Sequence, residues 1–189
     1  AIIGVETRYG RVTGKHRILD SLTTLTVGYP RRSKFFGSEL REFLILAKEE
    51  NMDPLTLKGS YAGAMGIGQF IASSYRNYAI DYSGDGIRDL LTSPEDAIGS
   101  VANYFKRRGW RRGEGVIVPV QLGAGVDGKA LATKGRKPDS SVAALQDAGV
   151  QFARETDGAA KAGLIRLEGA SGVEYRGALA NYFAIMTYN

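Results

Sequence analysis

Cysteine is absent from the 189-residue chain, which excludes thiolate catalysis, disulfides and Cys-ligated zinc together. Histidine occurs once, as His16. A Ser-His-Asp triad would need that residue as its base, and no Gly-x-Ser-x-Gly elbow accompanies it. The neighbours Lys15 and Arg17 point instead to a solvated basic loop. Long apolar runs are missing too: nothing approaches the roughly eighteen apolar residues of a membrane-spanning helix. There is no initiator Met and no signal-like start. The opening Ala1-Ile2-Ile3-Gly4-Val5 begins in mid-pattern, as expected of a fragment, so targeting signals cannot be read from it.

What is present is a chain with 43% apolar residues, enough for a hydrophobic core in one large domain or one and a half. The net charge of +5 gathers in Arg31-Arg32, Lys106-Arg107-Arg108 and Arg111-Arg112. Such clusters suit a polyanion and equally a solvated face. No nucleic-acid recognition motif accompanies them, so no nucleic-acid partner is expected.

Three textures follow one another. Residues 1 to about 112 read as helical. Ser38 is a candidate N-cap for a helix through Ala47, with Leu40, Phe43, Leu44 and Ala47 on one face, stopped by residues 51–54. Residues 69–79 form a second helix. A third has Ser93 as N-cap, Pro94 at its first position, Asp96 placed like a capping-box acid, and Ile98, Val101, Ala102 and Phe105 at helical spacing before Gly109. Residues 113–175 read as a small α/β module, with strands near 116–120, 163–167 and 173–175 and a short helix over 140–148. Residues 176–189 turn apolar and aromatic again and are expected to rejoin the first region. The fold class is therefore α+β, mainly α.

Three stretches could carry chemistry. Glu6 ends an apolar helical run, where a carboxyl loses solvation and stays protonated towards neutral pH, as a general acid must. A helix-end ion pair with Arg8 or Arg11 is the competing explanation. Residues 59–70 hold four glycines among small residues, which let backbone approach a ligand, while Ser60, Tyr61 and Gln69 offer hydrogen bonds and a stacking face. A tight interhelical turn would look the same. The segment matches no phosphate-binding or dinucleotide fingerprint, so no organic cofactor is expected. In residues 81–89, oxygen ligands at positions 1, 3, 5 and 9, glycine at 6 and the Ile87 carbonyl at 7 fit an EF-hand-like calcium loop. Position 12 is Thr92 rather than glutamate, so weak Ca²⁺ binding is expected; a metal-free Asp-Gly turn is the alternative.

Together these stretches resemble the membrane-bound lytic murein transglycosylase B family. The resemblance runs through Ile3-Gly4-Val5-Glu6-Thr7-Arg8-Tyr9-Gly10, Arg17-Ile18-Leu19-Asp20, Tyr29-Pro30-Arg31-Arg32, Asp53-Pro54-Leu55 and residues 58–66, then residues 81–86 and 96–105. It is dense over the first 110 residues and thin from 113 to 175. It implies a lysozyme-like helical core (1–112) with an EF-hand-like loop (81–96), a small inserted α/β module (113–175) and a return to the core (176–189). The family's catalytic glutamate falls on Glu6, its cleft positions on Ser60, Gln69, Tyr104, Tyr188 and Asn189, and its calcium ligands on Asp81, Ser83, Asp85, the Ile87 carbonyl and Asp96. Ile71 and Ala72 stand where the family usually has Met-Pro, and Thr187 where it has a basic residue.

The implied activity is non-hydrolytic cleavage of the bond between N-acetylmuramic acid and N-acetylglucosamine in peptidoglycan, leaving a 1,6-anhydro end. Most glycosidases need two carboxylates, and the matched motifs offer no evident partner for Glu6. A lysozyme-type hydrolase and a non-catalytic glycan- or calcium-binding module are the alternatives. The resemblance also implies a monomer acting on glycan strands in the periplasm, with any outer-membrane anchoring supplied by a missing N-terminus.

Overall fold

The structure, a computed structural model, describes residues 1–170 and 172–188. Contacts group it into two units, Ala1–Tyr104 and Phe105–Asn189. The division falls inside a helix, whereas the sequence suggested boundaries at 112 and 175.

The first unit is helical. Its elements are α1 (Ile2–Thr7), β1 (His16–Arg17), α2 (Ile18–Gly28), α3 (Ser33–Glu49), β2 (Lys58–Gly59), α4 (Ala72–Tyr78) and α5 (Pro94–Arg107). His16, expected in a loop, instead pairs with Gly59 in the antiparallel β1–β2 ladder. α3 begins five residues before Ser38. The turn at Pro30–Arg32 leads straight into it, and the Ser33 hydroxyl donates to the Thr26 carbonyl at 2.6 Å. The longer helix re-aims the apolar stripe. Phe36, Phe43, Leu46 and Ala47 are buried, and Leu44 is 47% exposed. α4 starts at Ala72 and not at residue 69, because Gln69 takes a left-handed φ of 53° that a helix does not accept.

α5 begins where the sequence indicated, with the Asp96 N–H donating to the Ser93 hydroxyl at 3.2 Å. Its buried face is Ala97, Ser100, Val101 and Tyr104, and Ile98 is 59% exposed. Asp96 does not act as a capping-box acid, because its carboxylate turns to the loop before the helix. Within the unit α2 packs on α3 and α3 on α4, around the fully buried Ile18, Leu22, Phe43, Leu46, Met65 and Tyr75.

The second unit holds β3 (Ile117–Leu122), α6 (Gly128–Leu131), β4 (Ser140–Ser141), α7 (Val142–Asp147), β5 (Val150–Phe152), β6 (Lys161–Gly169), β7 (Gly172–Leu179) and α8 (Ala180–Ile185). The strands form an antiparallel sheet in the order β4-β6-β7-β3-β5. Val142, Leu145, Val150, Ala162 and Leu164 make its core. Residues 176–185, expected to rejoin the first region, complete β7 and then form α8, which packs on β7. Asn181 fastens α8 to the chain entering this unit: its side-chain oxygen accepts from Arg111 N–H at 2.8 Å, and its amide donates to the Arg111 and Glu114 carbonyls.

Candidate active site and acidic loop

Glu6 lies in the last turn of α1, half-buried, and desolvation pushes its carboxyl above the ordinary value. Thr7, 1% exposed, locks the helix end in place. Its hydroxyl lies 2.8 Å from the Ile67 carbonyl and 3.1 Å from that of Ile3, and it accepts from Gly10 N–H. A hydroxyl has one proton, so the two carbonyl contacts share it. The chain then takes three successive left-handed residues, Arg8, Tyr9 and Gly10, at φ 50°, 60° and 83°. For arginine and tyrosine this is strained, by roughly 1–2 kcal/mol each. The reversal lays the Tyr9 ring over Gly4, where an added Cβ would meet it at 2.9 Å.

The glycine-rich segment is tied to the same region. Gln69 donates through Nε2 to the Thr13 carbonyl at 3.0 Å and to the Gly66 carbonyl at 2.9 Å. Ser60 accepts from the N–H groups of Ala62 and Ala64, at 3.3 and 3.0 Å, shaping the turn while its hydroxyl hydrogen remains free to donate. Gly66 is required at its position: its φ is +73° and an added Cβ would lie 2.3 Å from the Leu90 carbonyl oxygen. Tyr61 stands 72% exposed.

The other sequence-derived positions are distributed differently. Tyr104 is 4% exposed and packs on Tyr78 at 4.8 Å and Phe70 at 6.1 Å, part of the unit's core rather than an open wall. Tyr188 stacks 5.4 Å from Phe105 in the second unit, and Asn189 lies outside the described residues. Thr7 and Tyr9 were missed. A lone threonine carries no signal in one sequence, and the Tyr9-Gly10 turn was read only as part of a motif.

Other carboxylates of the first unit have structural work. Asp20 pairs with Arg17 at 2.7 Å, and Glu42 and Glu49 both grip Arg76. Glu50 pairs with Arg88, and buried Glu39 accepts from Ser73 N–H at 3.0 Å, capping α4 from α3. Asp81, Asp85 and Asp96 gather, each offering an oxygen within 4.8 Å of the others. Two cation–oxygen distances of roughly 2.4 Å span that separation, so the donor set fits Ca²⁺. Burial works to raise the Asp96 carboxyl, but the N–H groups of Ser83, Asp89 and Tyr82 outweigh it and hold Asp96 below the ordinary value. Asp81 is held low by the N–H groups of Gly86 and Gly84 and the Ser83 hydroxyl, against a smaller opposing effect of desolvation. Gly86, at the sharp turn of position 6, has φ +89°, and Thr92 bonds to Asp89. Asp96 is thus the closing carboxylate that position 12 lacks.

The transglycosylase SLT domain family matches the chain over residues 1–189. Membrane-bound lytic murein transglycosylase B of Escherichia coli (strain K12) is 49% identical over 189 residues, 100% of this chain and 50% of that protein. The catenated lytic transglycosylase SltB1 of Pseudomonas aeruginosa superposes with a TM-score of 0.95 at 45% identity, over 100% of this chain and 62% of that one. For the Escherichia coli lytic transglycosylase Slt35 in complex with calcium the values are 0.88 and 47%, over 100% and 58%. For Pseudomonas aeruginosa SltB3 in complex with NAG-anhNAM-pentapeptide they are 0.84 and 35%, over 100% and 50%. The chain spans half the length of the curated relative it matches. Its α+β fold is the lysozyme-like fold of these structures. With every residue matched at close to half identity, the chain belongs to the transglycosylase SLT domain family.

Proposed function

We propose that the protein is a lytic transglycosylase of peptidoglycan in which Glu6 is the one acid and base. The observation that carries this reading is the raised, desolvated carboxyl of Glu6 at a helix end locked by Thr7. Protonated, Glu6 delivers its proton to the oxygen linking N-acetylmuramic acid to N-acetylglucosamine, and the bond to that oxygen breaks. The muramic acetamido group stabilises the cation. Glu6, now a carboxylate, takes the proton of the C6 hydroxyl as that oxygen closes on C1. The ring closure is intramolecular, so proximity replaces a second catalytic group, and no water is consumed. Ser60 has a hydroxyl hydrogen to orient the sugar, and exposed Tyr61 a face on which it stacks. Gln69 acts through the loop it ties.

The same reading gives Asp81, Ser83, Asp85, the Ile87 carbonyl and Asp96 to a structural Ca²⁺, supported by the carboxylate cluster and by the calcium complex of Slt35. The ion would neutralise three carboxylates and brace the link between α4 and α5. The substrate is the glycan strand, the state a monomer and the place the periplasm, with any membrane anchor supplied by other segments. Glu6→Gln should lower muropeptide release from purified murein by about a thousandfold, as expected for loss of an acid–base group. Release at the wild-type rate would overturn the assignment of Glu6, and reducing-end products would make the enzyme a lysozyme-type hydrolase.

A further inference from the structure

Beside the glycine-rich segment lie two adjoining cavities, of about 510 and 360 Å³, that share His16 and Tyr61. One side of the larger is residues 11–16, and the other is Ser60 and Tyr61. The two sides are held close. An added Cβ on Gly14 would lie 2.0 Å from the Gly59 carbonyl carbon, His16 pairs with Gly59, and Gln69 ties down Thr13. The groove is therefore preformed.

Its charge is one-sided. Arg11, Lys15 and Arg17 all line it and all are exposed. The only acidic lining residue is Asp20, already paired with Arg17 at 2.7 Å. Neither Arg11 nor Lys15 forms an ion pair among the described residues. Two uncompensated cations thus face a groove that starts at Ser60 and Tyr61, the residues offered above to the sugar. A group that binds there must be anionic, small and attached next to the sugar. A polyphosphate chain would need a longer basic track, whereas one or two carboxylates match two cations.

We propose that this groove takes the carboxylates of the peptide stem carried by muramic acid, so that the enzyme prefers stem-bearing strands to bare ones. The inference rests on the glycan-cleaving reading. Murein with its stems and the same murein stripped by an amidase are compared as substrates for the wild-type chain and for the double variant Arg11→Ala/Lys15→Ala. The ratio of kcat/KM on stem-bearing over bare strands should exceed one for wild type. It should fall about fivefold in the double variant, in keeping with two solvent-screened charge contacts, and shrink in high salt. A wild-type ratio of one, or a ratio untouched by the double substitution, overturns the proposal. Equal melting temperatures for the two proteins keep a folding defect out of the comparison. If neither polymer is cleaved, the reading of Glu6 fails and the groove is still decided by calorimetric titration with a soluble stem peptide. Binding weakened in the double variant supports the groove, and no binding to wild type removes it.

Discussion

Glu6 is placed where two effects add: desolvation and the negative pole of the helix end both favour its neutral form. The sign of the consequence follows by linkage. Stability tied to protonated Glu6 is fully present below the ordinary carboxyl value of 4.5 and is lost as pH rises through the raised value. Glu6→Gln, which cannot ionise, should therefore melt above wild type at neutral pH and lose that advantage in acid; calorimetry at the two pH values checks it. An equal or lower melting point at neutral pH would contradict the desolvated site. Because the acid must be protonated to act, kcat/KM should also fall as pH rises through the same value. Thr7 is the second residue that matters at this scale. Thr7→Val keeps its shape but strips the Ile67 carbonyl and Gly10 N–H of their partner. It should lower stability by about 1–3 kcal/mol in urea titrations and reduce turnover by loosening Glu6. A variant as stable and active as wild type would show that the helix end is held by something else.

Among the elements, α5 was the most legible in the sequence because its start is set by local chemistry: a serine cap, a proline and an acidic first turn. α3 was legible in kind but not in extent. Its first turn depends on Ser33 meeting Thr26 across an interhelical turn, a contact seven residues apart that periodicity does not encode. The same shift explains why Leu44 was expected inside and lies outside. Gln69 was singled out correctly as a residue with work to do, yet its reach to Thr13 spans 56 positions and appears only in three dimensions. The loop joining α4 to α5 was legible as oxygen donors at calcium spacing, with Asp96 recovered through the resemblance rather than the spacing. Its ion should raise the melting temperature, by about 2.7 kcal/mol of stability at a hundredfold excess over Kd. A chelator should reverse the gain, and Asp85→Asn should diminish it. A melting curve indifferent to both calcium and chelator would remove the ion.

At the scale of the whole molecule, two units of different texture divide within α5. The first contributes Glu6, the glycine-rich segment and the acidic loop, all from residues 1–104. The second has a core of its own on a five-stranded sheet. That division was half legible. The change from helical to strand periodicity after residue 113 marked the module, but α5 runs on past the boundary without any break in its pattern. The family match over the full length makes the sequence resemblance, dense in the first 110 residues and thin beyond them, a property of the entire chain. The chemistry depends on one choice, whether water or the substrate's own C6 hydroxyl attacks C1. Digestion of purified murein in ¹⁸O-labelled water, with mass analysis of the released muropeptides, decides it. Products one water lighter than the hydrolytic ones, free of label at C1 and lost in Glu6→Gln, are the expected result; label at C1 of the muramic acid would contradict it.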